Sequence, residues 1–107
     1  VQNPEQLQRR LWHYPYGELM LQEYLPADED YRVMVLGYHA LPAMVSRKPP
    51  KGDFRTNYSL GGRFTRHDLS EFPAFQSLAE SAARALRREF TAIDIRLKGD
   101  QPMVLTA

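Results

Sequence analysis

The chain has 107 residues, no cysteine, 14 basic and 13 acidic side chains and a net charge of +1, enough for one modest domain. Near-neutrality argues against a general electrostatic nucleic-acid binder, which needs a basic stripe. The lack of cysteine removes disulfide scaffolds, thiolate metal sites and thiol nucleophiles, and fits a cytoplasmic protein. No apolar run approaches the roughly 18 residues of a membrane span, and no signal-peptide pattern opens the sequence. Its start at Val1-Gln2-Asn3, without Met, fits a processed or excised piece of something longer.

Asn3-Pro4-Glu5-Gln6 predicts a helix start: Asn3 caps, Pro4 suits the first helical position and Gln6 sits where a capping-box partner belongs. Leu7 and Leu11 give that helix a short apolar face to about Trp12, and His13-Tyr14-Pro15-Tyr16-Gly17 breaks it. Leu19 to Leu25 alternates as a strand, with Leu19, Leu21 and Glu23 on one side and Met20, Gln22 and Tyr24 on the other. Pro26 ends it, and Ala27-Asp28-Glu29-Asp30 forms an acidic turn without calcium-loop spacing. Arg32 to Leu36 and His39 to Val45 are two more strands, joined by Gly37-Tyr38 with Gly first, as a type II′ turn prefers. Pro42 cannot donate to a ladder, so the second strand is expected at an edge or bulged there.

Arg47 to Gly52 is a Pro-rich, basic connection into Gly52-Asp53-Phe54-Arg55-Thr56-Asn57-Tyr58-Ser59-Leu60-Gly61-Gly62. Arg55 offers a planar fork of donors suited to phosphate or carboxylate, and Asn57 adds donors and an acceptor. On the residues alone the loop is either an anion or nucleotide site or a surface loop with a salt-bridged Arg. A helix follows, capped by Asp68 or Ser70, with Pro73 in its first turn and Phe75, Leu78, Ala79, Ala82 and Leu86 as its buried face. Glu80 and Arg84 form an i,i+4 pair on the wet face. Arg84, Arg87 and Arg88 complement the helix dipole, a reading preferred to nucleic-acid binding.

Thr91 to Leu97 is a strand with Ile93, Ile95 and Leu97 toward the core and Ala92, Asp94 and Arg96 facing away. Lys98-Gly99-Asp100 turns the chain into a return strand, Met103 to Thr106. His13, His39 and His67 lack metal-ligand spacing and read as surface or packing residues. Asp94 is the sharpest single position: an acid on the polar side of a core strand, either paired with Arg96 or Arg55 or functional. The predicted fold class is α+β, a largely antiparallel sheet packed with one main helix.

Leu21-Gln22-Glu23-Tyr24-Leu25-Pro26, Asp30-Tyr31-Arg32-Val33-Met34-Val35, the Gly52–Gly62 loop and Phe90-Thr91-Ala92-Ile93-Asp94-Ile95 stand in an order and spacing that resembles the C-terminal half of the ATP-grasp fold. The likeness is to ATP-dependent carboxylate–amine ligases of the ribosomal-protein S6 glutamate-ligase type, over roughly residues 19 to 106. It implies an N-terminal helix and linker over 1–18 and a partial C-terminal ATP-grasp subdomain over 19–107. It further implies ATP and Mg²⁺ as cofactors, an amino-acid or peptide substrate, and a reaction through an acyl phosphate. By the same resemblance Glu23 and Tyr24 lie at the hinge that receives adenine, and Asp30 near the ribose or phosphates. Arg55, Thr56 and Asn57 close over the triphosphate and the acyl-phosphate site, Arg55 and Asn57 at the chemistry. Asp94 is a magnesium ligand and Arg47 a candidate for phosphate or substrate carboxylate.

The sequence departs from the pattern at Thr106, where a bridging Glu is implied, and no ligand Asn follows; Ala92 replaces a Gly. Fewer carboxylates weaken metal binding. The phosphate-gripping lysines and glycine-rich loop of the family's front half are also missing. The expected protein is therefore one wall of a ligase cleft, inactive alone and completed by an N-terminal domain or an oligomer. The alternative is a degenerate module that binds nucleotide or a protein partner without catalysis. Neither nucleic acid nor membrane is an expected partner.

Overall fold

The computed structural model describes residues 1–14, 17, 19–51 and 62–107. Helix α1 spans Pro4–His13, strands β1 and β2 Asp30–Leu36 and His39–Lys48, and β3 Arg63–Asp68. A 3₁₀ turn at Leu69–Glu71 leads into α2, Pro73–Ala85, and β4 and β5 follow at Phe90–Lys98 and Gln101–Thr106. The strands form one antiparallel sheet in the order β3-β2-β1-β4-β5. This is the predicted α+β class.

Alternation on the strands sorts the sheet into two faces. One face buries Tyr31, Val33, Val35, Met44, Ile93 and Ile95 against Phe75, Ala79 and Ala83 of α2. Two alanines with no exposed surface at the contact let the helix lie close to the sheet. Tyr31, His67, Phe72 and Phe75 form an aromatic cluster at one end, with ring centroids 4.9 to 6.2 Å apart. Ser46, buried on this face, lies with its Oγ 2.7 Å from His67 Nε2, so its hydroxyl is satisfied. His67 is thus a packing residue, as expected.

Asn3 caps α1 by accepting from the Gln6 N–H, and Gln6 Oε1 in turn accepts from the Gln2 N–H, each at 2.8 Å. Pro42 falls in the stretch where the β1–β2 register shifts, between Val33↔Met44 and Val35↔Ala40. The bulge removes the donor requirement that proline cannot meet. Asp68 caps the 3₁₀ turn through the Ser70 N–H, while α2 starts at Phe72 without a side-chain cap, with Pro73 in its first turn.

Several expectations are corrected. Leu19 to Leu25 is not a strand. Side-chain donors take the places of ladder bonds: Gln22 Nε2 donates to the Leu105 carbonyl at 3.0 Å and Arg96 Nη1 to the Leu25 carbonyl at 2.6 Å. Arg63–Asp68 is an unanticipated edge strand, and Asp30 and Arg47 belong to strands rather than to a turn and a connection. The Gly37-Tyr38 turn is of the I′ kind, since both residues have positive φ, 59° and 64°. Leu86 is exposed and Ala83 takes its place in the core, because α2 ends at Ala85. Glu80 does not simply face water: its carboxylate accepts from the Ala40 N–H at 3.0 Å, next to the bulge. That bond first, helped by Gln76, His39 and Arg84 against some desolvation, lowers the Glu80 pKa.

Candidate functional site

The face of the sheet opposite α2 carries the charge. The ladder sets two rows across it. In one, Thr106, Asp94, Arg32, Val45 and Arg66 are successive cross-strand neighbours. In the other, Met103, Arg96, Asp30, Arg47 and Phe64 follow one another; Asp30 sits opposite Arg96 because the β1–β4 register pairs Tyr31 with Ile95. Two Asp-x-Arg triplets, Asp30-Tyr31-Arg32 on β1 and Asp94-Ile95-Arg96 on β4, therefore meet head to tail. Each aspartate faces the other triplet's arginine.

Both crossed pairs form. Arg32 grips Asp94 with two bonds, Nε to Oδ1 at 2.8 Å and Nη2 to Oδ2 at 2.9 Å. Arg96 Nε donates to Asp30 Oδ1 at 2.5 Å. Its guanidinium also stands 5.8 Å over the Tyr24 ring centroid. Arg47 reaches diagonally across the sheet, Nη2 lying 3.0 Å from Asp94 Oδ1. The Asp94 hydrogen bonds raise the Arg32 pKa further above its already high ordinary value, against a smaller desolvation effect. The Arg47 and Asp94 side chains are each 9% exposed, whereas that of Arg32 is 44% exposed. Arg47 Nε is a buried donor without a partner among the described residues.

The predicted site residues divide accordingly. Asp30, Arg47 and Asp94 come together on one face. Glu23 is exposed and paired with Lys98 Nζ at 3.0 Å, and Tyr24 is largely exposed, with the Arg96 guanidinium over its ring. Arg55, Thr56 and Asn57, with most of the Gly52–Gly62 loop, lie outside the described residues. Of the two partners expected for Asp94, Arg55 lies outside the described residues and Arg96 is corrected to Arg32 and Arg47: Arg96 lies two positions further along the same strand, and the register gives it Asp30. Arg32 was not singled out from the sequence; the repeated Asp-x-Arg spacing was the available signal.

A divalent cation does not fit this arrangement. Three guanidinium N–H groups occupy the two Asp94 oxygens, and Thr106, a neutral hydroxyl, stands opposite Asp94. Among the described residues no three His, Cys, Asp or Glu side chains gather as ligands. The chemistry of the donor set is that of an anion site, with four arginines against two aspartates in the two rows.

A largely antiparallel sheet packed with one main helix is what the ATP-grasp resemblance implies, and comparison with known families makes the assignment. The family described as the ATP-grasp domain of prokaryotic glutathione synthetase matches residues 2–95, and the chain belongs to it. It is 32% identical over 91 residues to a probable alpha-L-glutamate ligase 1 of Shewanella sp. (strain ANA-3), covering 83% of this chain and 29% of the relative. It is 37% identical over 82 residues to a glutathione synthetase of Thermosynechococcus vestitus, covering 72% of this chain and 25% of the relative. A probable alpha-L-glutamate ligase of Xanthomonas campestris pv. campestris (strain B100) is 34% identical over 92 residues, 84% of this chain and 31% of the relative. The matched region is thus less than a third of each of these relatives. Among the described residues no helix is long and apolar enough to cross a membrane.

Proposed function

We propose that the chain is the nucleotide-binding segment of an ATP-dependent carboxylate–amine ligase, its charged sheet face forming one wall of the cleft around the triphosphate. The observation that carries this reading is the gathering of Arg32, Arg47 and Arg66 on one face of the sheet in a chain of this family. The names of its relatives point to an amino acid or peptide as a substrate. In such a ligase ATP phosphorylates the carboxylate and an amine displaces the phosphate. That chemistry depends on positioning and charge stabilisation rather than on a side-chain nucleophile.

In this reading Glu23 and Tyr24 border the adenine, and Asp30 orients Arg96 beside the nucleotide. Thr56 helps to close the loop over the triphosphate, while Arg55 and Asn57 contact the phosphoryl group in transfer. For Asp94 to act as a metal ligand, Arg32 and Arg47 would have to give up its oxygens. The reading places the protein in the cytoplasm. It requires a second wall, from an N-terminal domain or another subunit, before turnover, so the chain alone is inactive. A second reading, a non-catalytic module binding nucleotide or a protein partner, is favoured by the Thr106 hydroxyl opposite Asp94.

Calorimetric titration with ATP and ADP tests the proposal. Binding at about millimolar or tighter, near −4 kcal/mol, is expected, and Arg55→Ala should abolish it while the unfolding transition is unchanged. Unaltered binding in Arg55→Ala would remove the loop from the site. No binding by the parent chain would sink the nucleotide reading and direct the search to a protein partner.

A further inference from the structure

We infer that guanidinium groups take the place of the divalent cation at Asp94, so that this sheet face binds an oxyanion without metal. The inference deepens the nucleotide reading of the same face and rests on it for where the anion sits.

Three observations converge. The Asp94 oxygens are filled by Arg32 and Arg47, in a bidentate grip and a shared contact. The position opposite, Thr106, carries no charge. The cluster is also unbalanced among the described residues: three arginines, Arg32, Arg47 and Arg96, pair with two aspartates, Asp30 and Asp94. However the two carboxylates are shared, one positive charge is left over among these residues. Most of them are buried, and a buried charge without a counter-charge is costly. Arg47 Nε, buried and without a partner among the described residues, is the donor at which that excess is felt. The half-exposed Arg32 and the exposed Arg66 share a ladder row on the same face, which gives an anion access from solvent. Guanidinium forks match the planar oxygens of both phosphate and carboxylate. The recognised chemistry is therefore a small oxyanion, from a phosphoryl group or from a substrate carboxylate. Asp94, in this account, is a positioning residue that holds two arginines side by side.

Amide-detected NMR and calorimetric titrations of the 107-residue chain with inorganic phosphate, ADP and glutamate, in EDTA and then in Mg²⁺, test this. Phosphate or glutamate should bind in EDTA, shift the Arg32, Arg47 and Asp94 amides, and change affinity by no more than about twofold with Mg²⁺. Preference for phosphate and ADP assigns the anion to a phosphoryl source, and preference for glutamate to a carboxylate; either supports the inference. Arg32→Gln, at a half-exposed side chain, should weaken binding in EDTA by about tenfold, the loss of one charged hydrogen bond. Unchanged binding in folded Arg32→Gln overturns the inference. So does Mn²⁺ broadening of the Asp94 and Thr106 amides, or binding of any of the three probes that appears only with Mg²⁺. If ADP binds only with Mg²⁺, the nucleotide reading survives and the inference fails. If phosphate binds in EDTA and ADP does not bind, the nucleotide reading fails and the inference stands. No binding of phosphate or glutamate under either condition overturns it outright.

Discussion

Replacing Asp30 by Ala isolates what the buried Asp30–Arg96 pair contributes. Arg96 is 8% exposed, and among the described residues it contacts Asp30, the Leu25 carbonyl and the Tyr24 ring. Without the carboxylate, a full positive charge is left with one carbonyl and one ring face. Breaking a buried pair in this way costs about 3–5 kcal/mol. The upper part of that range is expected, because the neighbouring cluster already holds an excess positive charge. A domain of this size has about 5–15 kcal/mol in total. With a urea slope of about 1–3 kcal/mol per molar, the unfolding midpoint should fall by about 2 M. The companion Asp30→Leu/Arg96→Met removes both charges at similar volume and should lie within about 1 kcal/mol of the parent. It should nevertheless speed amide exchange in 19–25, which loses its bond from Arg96. An Asp30→Ala loss below about 1 kcal/mol at unchanged slope would refute the reasoning, since Arg96 would then be as well solvated as it is paired.

Other outcomes follow from single contacts. Arg87 closes α2 at φ 52°, with Arg88 N–H bonded to the Ala83 carbonyl and Arg87 N–H to that of Arg84; Arg87→Gly should add about 1 kcal/mol, read as a higher melting temperature. Burial, then the Glu29 hydrogen bond and charge, push Tyr31 up to about 12. Ultraviolet titration should therefore find one of the six tyrosines ionising last, a step absent from Tyr31→Phe. Because its folded pKa is the higher, the Tyr31 contribution is full below about pH 10 and is lost as pH rises toward 12. Glu80 has the opposite sign: its lowered folded pKa gives stability above the ordinary value of 4.5, lost as pH falls through the folded value. Glu80→Gln should cost about 0.5–1 kcal/mol at neutral pH, a difference that closes in acid denaturation curves as pH falls through the folded value.

Local chemistry was legible where it was self-contained. The Asn3 cap, the Pro42 bulge, the inward Ile93 and Ile95 and the outward Asp94 follow from short-range rules. Arg63–Asp68 was missed because its only large apolar residue is Phe64; a charged edge strand carries little hydrophobic signal, its charges serving to discourage edge pairing. Leu19 to Leu25 misled for the converse reason. Alternation states which side chains share a face but not whether a neighbouring backbone is available, and here Gln22 and Arg96 supply side-chain bonds instead. The candidate site was half legible. Asp30, Arg47 and Asp94 were picked out, but their partners depend on a register between strands some sixty residues apart, which no local pattern encodes.

The crossed triplets also proofread strand pairing. A slip of β4 against β1 by one residue is excluded by the core, because it would turn Ile93 and Ile95 outward. A slip of two keeps the faces correct and is the error that hydrophobicity alone cannot detect. In one direction that slip sets Asp30 against Asp94, and in the other it sets Arg32 against Arg96. Both place like charges directly opposite, which is destabilising. Only the observed alignment satisfies all four side chains, so the charged residues of this face also act as an alignment key for the sheet while it forms.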